Sequence, residues 1–176
     1  MKNIILGITG SIAAYKAADI ANILTKEGFN VDVIMTKGAM EFITPLTLQT
    51  LTKNRVNTDI FQEILPLEVR HISLAQKADI LLVSPASADI IGKLASGIAD
   101  DMLTSVTLAL RAIPKLIAPA MNTAMWENPI VKDNLLKLER YGFTIIDPKE
   151  GRLACGDLGK GALADVNVII DAVKKC

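Results

Sequence analysis

Of the 176 residues only one is histidine, one is tryptophan and two are cysteine. Two thiols far apart in the chain, Cys155 and Cys176, build no disulfide framework, so a reduced, cytoplasmic setting is expected. One histidine and two distant cysteines also fall short of a ligand set, and no metal is expected. Charge is balanced, with 19 basic and 19 acidic residues, and no basic block or arginine-rich stripe appears. That speaks against nucleic acid as a partner. No stretch approaches the ~20 uninterrupted apolar residues of a membrane span. The opening MKNIILGITG has a short apolar run, but its glycine-rich turn and helical continuation suit a first strand better than a secretion signal.

What is abundant is aliphatic. Hydrophobic residues make up 51% of the chain while aromatics supply only 4%, so the core must be built from Ile, Leu, Val and Ala. A chain of this size buries roughly 70% of the surface its unfolded form exposes, enough for one domain spanning 1–176. Apolar runs at Ile4–Ile8, Val31–Met35, Ile80–Val83, Lys115–Ala118 and Phe143–Ile146 read as strands. Helical patterns fall at Ala13–Lys26, Pro45–Thr52, Asp89–Ala95, Asp101–Leu110, Pro129–Tyr141 and Asp165–Lys175. This alternation predicts an α/β fold, a Rossmann-like or flavodoxin-like doubly wound parallel sheet in a single domain. The glycine-rich stretch from Asp147 to about Ala162 is expected to be an irregular, functional loop.

In such sheets ligands gather outside the carboxyl ends of the strands. Here those ends carry small, hydroxylated or amide residues: Thr9-Gly10-Ser11, Thr36-Lys37-Gly38, Ser84-Pro85-Ala86-Ser87 and Pro119-Ala120-Met121-Asn122. The first, in GITGSIAAYK, offers a glycine for close approach, a hydroxyl and a helix start, the requirements of a phosphate cradle. A dinucleotide fold would add a third glycine and an acidic residue after the second strand, where Thr36 and Lys37 stand instead. A mononucleotide phosphate therefore fits better.

Three side chains carry possible chemistry. His71 opens a short amphipathic helix, RHISLAQK, and is either a half-buried structural residue or a proton acceptor near neutrality. Asn122 follows a strand, where its amide can both donate to and accept from a carboxylate or peptide group, while Met121, Met125 and Trp126 nearby are equally good core fillers. Cys155 lies in RLACGDLGKGAL, on a glycine-rich segment where structural thiols rarely hide.

Taken together, GITGSIAAYKA, the histidine of RHISLAQKADILLVSPASADIIGKLASGIADDML, PAMNTAMW and ACGDLGKG resemble the homo-oligomeric flavin-containing cysteine decarboxylases. They follow that family's order and cover Met1 to about Ala164, and they are most similar to the branch acting on phosphopantothenoylcysteine in coenzyme A biosynthesis. The resemblance implies an enzyme that uses FMN to decarboxylate 4′-phospho-N-pantothenoyl-L-cysteine to 4′-phosphopantetheine and CO2 through a thioaldehyde and an ene-thiolate. It implies FMN contacts at Gly10, Ser11, Ile12, Met35, Thr36, Lys37, Ser87, Ala88, Asp89, Ile90 and Ala120. His71 would be the catalytic base, Asn122 the carboxylate ligand and Cys155 the proton donor, with Met125, Ala154, Gly156 and Asp157 completing the substrate site. Arg152, Lys160 and Lys93 are candidates for the substrate's phosphate. A homotrimer or homododecamer with sites at subunit interfaces is implied as well. Asp89 stands where many relatives carry Asn and Ala162 where bifunctional ones carry Arg, and the length leaves no room for a fused ligase domain, so a decarboxylase standing alone is expected. Flavin prenyltransferases share the GITG-type loop but have no use for PAMN and ACGD. Flavodoxins need a longer hydroxyl-rich loop, phosphatase-regulating relatives can lose catalytic positions, and peptidyl-cysteine decarboxylases generally lack the ACGD step.

Overall fold

In the computed structural model of this chain, residues 1–61, 69–152, 156 and 158–176 are described. Five strands form one parallel sheet: β1 (Asn3–Ile8), β2 (Asn30–Met35), β3 (Ile80–Ala86), β4 (Lys115–Pro119) and β5 (Phe143–Ile145). Their order is β2-β1-β3-β4-β5. The chain moves outward from β1 to β2, then returns to the other side of β1, so the order reverses between β1 and β3. A crevice opens there between the helices on the two faces, and the carboxyl ends of β1 and β3 are its floor.

Helices cover both faces, which is why the strands read as continuous apolar runs. Ile4, Leu6 and Ile8 of β1 point to one face, where they pack with Val31, Val33 and Met35 of β2. This face is covered by α1 (Lys16–Lys26), α3 (Pro45–Thr52) and α9 (Val166–Lys174), which bring Ile20, Leu24, Leu48, Ile169 and Val173. Ile5, Ile34, Leu81, Val83 and Ile117 point the other way. They meet α4 (Arg70–Lys77), α5 (Ala88–Ser96), α6 (Met102–Ala109) and α8 (Pro129–Arg140). Gly7 lets α6 approach closely: a Cβ there would lie 2.6 Å from Leu103 Cδ1. Asp101 and Thr104 close a reciprocal capping box at the start of α6. One charge sits within this packing. Asp32 of β2, only 3% exposed, receives the ammonium of Lys77 at 2.8 Å and so ties the end of α4 to the sheet.

The predicted strands and helices are all present, and the doubly wound parallel sheet stands as expected. Two features differ. The helix expected from Ala13 begins with a 3-10 turn, Ile12–Tyr15, before α1. The segment expected to be irregular from Asp147 to Ala162 instead contains an antiparallel hairpin, β6 (Lys149–Arg152) with β7 (Leu158–Ala162). Its glycines hide the strand pattern, since Gly has poor strand propensity, but they are what lets β7 press against the loop after β4. A Cβ on Gly159 would fall 2.5 Å from Thr123 Oγ1, and one on Gly161 would fall 2.4 Å from the Met121 carbonyl oxygen. Met121 N–H donates to the Gly161 carbonyl at 3.0 Å. No described helix is long and apolar enough to cross a membrane.

Candidate active site

The four strand ends singled out in the sequence turn out to be four helix caps. Ser11 Oγ accepts from Ala13 N–H at 3.3 Å after β1. Thr36 Oγ1 accepts from Ala39 N–H at 3.3 Å after β2, capping α2 (Lys37–Met40). Ser87 Oγ accepts from Ile90 N–H at 3.3 Å after β3, and Asn122 Oδ1 from Ala124 N–H at 2.8 Å after β4, capping α7 (Thr123–Glu127). Each cap turns the chain so that helix N-termini face the same edge of the sheet, and their dipoles favour an anion there. Thr9 ties the floor together. Its buried hydroxyl donates to the Pro85 carbonyl at 2.7 Å and accepts from Ser87 N–H at 2.9 Å, fixing Gly10 beside Ser87.

Two adjoining clefts open over this edge. The first, about 680 Å³, is lined by Gly10, Ser11, Ile12, Ser87, Ala88, Ala120, Asn122 and Met125 of the predicted site. Met121, Gly161 and Leu163 add apolar and backbone wall. The second, about 890 Å³, is lined by Thr36, Lys37 and Asp89 together with Thr58, Asp59, Lys93 and Asp100. Gly10, Ser87, Ala88 and Met125 belong to both, so the clefts form one bent trough. Lys93 lies 3.1 Å from Asp100 and 3.6 Å from Asp89, and these carboxylates, foremost the hydrogen bond it donates to Asp100, hold its pKa above the ordinary lysine value against the opposing effect of burial.

Two of the predicted contact residues offer backbone only. Met35 and Ile90 are each 1% exposed, and their side chains belong to the two cores rather than the trough. Strand and helix periodicity turns them inward; only their backbones stand near the edge. His71 is half-buried on the first turn of α4 and lines neither cleft, so this chain by itself does not bring His71 to Asn122. Gly156 is exposed with φ of +93°, while Ala154, Cys155 and Asp157 lie outside the described residues. Of the phosphate candidates, Lys93 lines the second cleft, Lys160 pairs with Asp147 at 3.3 Å, and the Arg152 side chain lies outside the description. Sequence reasoning missed Tyr15 and Phe42, exposed aromatic side chains on the rim of the first cleft, and Thr58 to Phe61 in the second.

The trough suits a phosphorylated aromatic ligand. Gly10 and Gly38 stand so close that a Cβ on Gly10 would lie 3.2 Å from Gly38 Cα, leaving bare backbone where a phosphate needs it. Capped hydroxyls surround that point, and Ala88, Ala120, Met121 and Met125 offer a flat apolar wall.

The chain belongs to the flavoprotein family, which matches it over residues 1–176. This bears out the resemblance drawn from its motifs. It is 51% identical over 175 residues to the probable phosphopantothenoylcysteine decarboxylase of Streptococcus mutans, covering 99% of this chain and 98% of that one. It is 47% identical over 174 residues to the coenzyme A biosynthesis bifunctional protein CoaBC of Bacillus subtilis, covering 99% of this chain and 43% of the bifunctional protein. Among solved structures, a mutant PPC decarboxylase complexed with pantothenoylaminoethenethiol superposes with a TM-score of 0.89 at 35% identity, covering 99% of this chain and 97% of that one. The FMN binding protein AtHal3 superposes with a TM-score of 0.86, also at 35% identity, covering 99% and 95%.

Proposed function

We propose that the chain is an FMN-dependent decarboxylase acting in the cytoplasm, converting 4′-phospho-N-pantothenoyl-L-cysteine to 4′-phosphopantetheine and CO2. The observation that carries this reading is the trough itself, with a glycine phosphate cradle at one end and the amide of Asn122 on an apolar wall beside it. The similarity to a probable phosphopantothenoylcysteine decarboxylase over nearly the whole of both chains supports the substrate.

Gly10, Ser11, Ile12, Thr36, Lys37, Ser87, Ala88, Asp89 and Ala120 would hold the flavin. Bound there, FMN would accept a hydride from the cysteinyl β-carbon, placing the carboxylate β to a C=S group that can take its electrons, and would give the hydride back to that carbon after decarboxylation and protonation. Asn122 orients that carboxylate. Its Oδ1 accepts from Ala124 N–H and caps α7, which holds the amide in one place on the cleft wall. His71 takes the proton released in the oxidative half. The thiol of Cys155 then returns a proton to the α-carbon after CO2 has left; its place in ACGD carries this role, since the residue lies outside the described ones. Met125 and the hairpin wall keep water from the reactive thioaldehyde.

The assembly is a homo-oligomer, a homotrimer or a homododecamer built of trimers, with sites at subunit interfaces. Two features support it: His71 sits off the cleft of its own Asn122, and Ile12 and Tyr15 leave more than half their surface exposed at the cleft rim.

The deciding experiment incubates the purified yellow protein with the substrate and follows CO2 and phosphopantetheine by mass. A colourless protein that cannot be reconstituted with FMN would sink the reading. Gly10→Val should give such a colourless protein, folded but with most of its flavin lost, because the added branch strikes the Gly38 backbone; the ratio of visible to ultraviolet absorbance measures it. Cys155→Ser should still release CO2 but accumulate the ene-thiol in place of phosphopantetheine. Normal phosphopantetheine release from that variant would remove Cys155 from the mechanism.

A further inference from the structure

The helix that carries His71 begins without help of its own. Val69, at the N-cap of α4, has no side-chain capping bond, although its carbonyl accepts from the Ile72 and Ser73 N–H groups. An uncapped first turn is the part of a helix most prone to fray, and His71 is the second residue of that turn. The neighbouring residue ties this turn to the body of the protein. Arg70 Nε donates to Asn57 Oδ1 at 2.9 Å.

Asn57 is unusually well fixed for a residue in a connection. It is 4% exposed and runs alongside β2, forming a parallel bridge with Ile34. Its N–H donates to the Val33 carbonyl at 2.9 Å, and its own carbonyl accepts from Met35 N–H at 3.0 Å. Its side-chain Nδ2 donates to the Val33 carbonyl at 3.0 Å and, more weakly, to the Arg55 carbonyl at 3.4 Å. With backbone and amide nitrogen both locked to the sheet edge, Oδ1 is a stationary acceptor. At the other end of α4, Lys77 reaches the buried carboxylate of Asp32 on β2. The helix is therefore pinned to one strand at both ends, through two buried polar side chains that face it. Buried polar groups committed in this way hold one arrangement in place more than they add stability.

We propose that Asn57 is a positioning residue for His71, acting through Arg70 to fix the first turn of α4. The inference rests on the reading of His71 as the base. Asn57 touches neither substrate nor flavin; it sets where the imidazole stands. It also stands at the root of Thr58 to Phe61, which wall the second cleft, so flavin content has to be followed as well.

The test uses the flavin-loaded protein and the fact that the chain has a single histidine, whose imidazole gives one unambiguous set of NMR signals. Asn57→Leu should keep its flavin, shift and broaden the His71 ring signals, and lower kcat at least about tenfold with KM nearly unchanged. Asn57→Asp keeps an acceptor for Arg70 while losing the donor to Val33, and should bring both the ring signals and kcat back towards the wild type. Arg70→Met, which leaves the sheet edge untouched, should reproduce the effect of Asn57→Leu and serves in its place should that variant not fold. Ring signals unmoved in Asn57→Leu or Arg70→Met would overturn the proposal. So would an Asn57→Asp variant no better than Asn57→Leu, or flavin loss alone with an unchanged histidine. If His71→Asn turns over at the wild-type rate, the assignment of His71 as base falls, whereas the ring signals of the Asn57 variants still decide whether Asn57 places it.

Discussion

Asn122→Asp should fold as well as the wild type and bind flavin, yet lose turnover by about a hundredfold or more. The two oxygens of an aspartate keep the cap on α7, because Ala124 N–H needs only an acceptor at 2.8 Å. What disappears is the NH2 edge, replaced by a negative oxygen facing the substrate's own carboxylate. Asn122→Ala removes both functions: turnover falls similarly and the lost cap costs about 1 kcal/mol of stability. Comparing thermal melts with single-turnover CO2 release for the two variants separates the capping role from the binding role. Were Asn122→Asp to retain normal turnover, Asn122 would be a cap and nothing more, and the carboxylate would have to be sought elsewhere in the trough. Equal destabilisation by both substitutions would instead show that the cap depends on the amide group as a whole.

The dual use proposed for Asn122, as cap and as ligand, explains why so much of the site is readable from the sequence. Ser11, Thr36, Ser87 and Asn122 are chosen by the need to start a helix, and the same residues leave dipoles and polar groups at the ligand edge. The strands were legible because a sheet covered on both faces demands continuous apolar runs, as in Ile80–Val83. The hairpin was not, because Gly159 and Gly161 answer to contacts with Thr123 and Met121 that are distant in sequence. At Met35 and Ile90 motif adjacency does not tell where the side chain goes. Each neighbours a ligand-edge residue, but periodicity sends its side chain into the core. His71 shows the same limit at a larger scale. Its motif points to chemistry, while its distance from the clefts depends on packing that one-dimensional spacing does not express.

Gly161 is where the hairpin and the loop after β4 meet, and Gly161→Ala is expected to separate them. The residue has φ of +148°, a conformation that side-chain-bearing residues rarely adopt, and the new Cβ would stand 2.4 Å from the Met121 carbonyl oxygen. No rotamer relieves this clash, since Cβ itself makes it and its partner is backbone. Either β7 lifts from the loop, breaking the bond from Met121 N–H to the Gly161 carbonyl, or the Met121–Asn122 segment is pushed aside. Both routes cost about 1–3 kcal/mol, which for a chain of this length lowers the melting temperature by roughly 2–4 °C per kcal/mol. Both also move Asn122 relative to the wall formed by Ala162 and Leu163, so turnover should fall further than the folded fraction does. The Gly10–Gly38 cradle lies on other strand ends, and flavin content should stay near the wild-type level. A variant that melts normally and turns over normally would mean that the hairpin does not bear on the position of Asn122. A variant that loses flavin in step with activity would mean that the joint supports the whole trough, including the end where the phosphate is held.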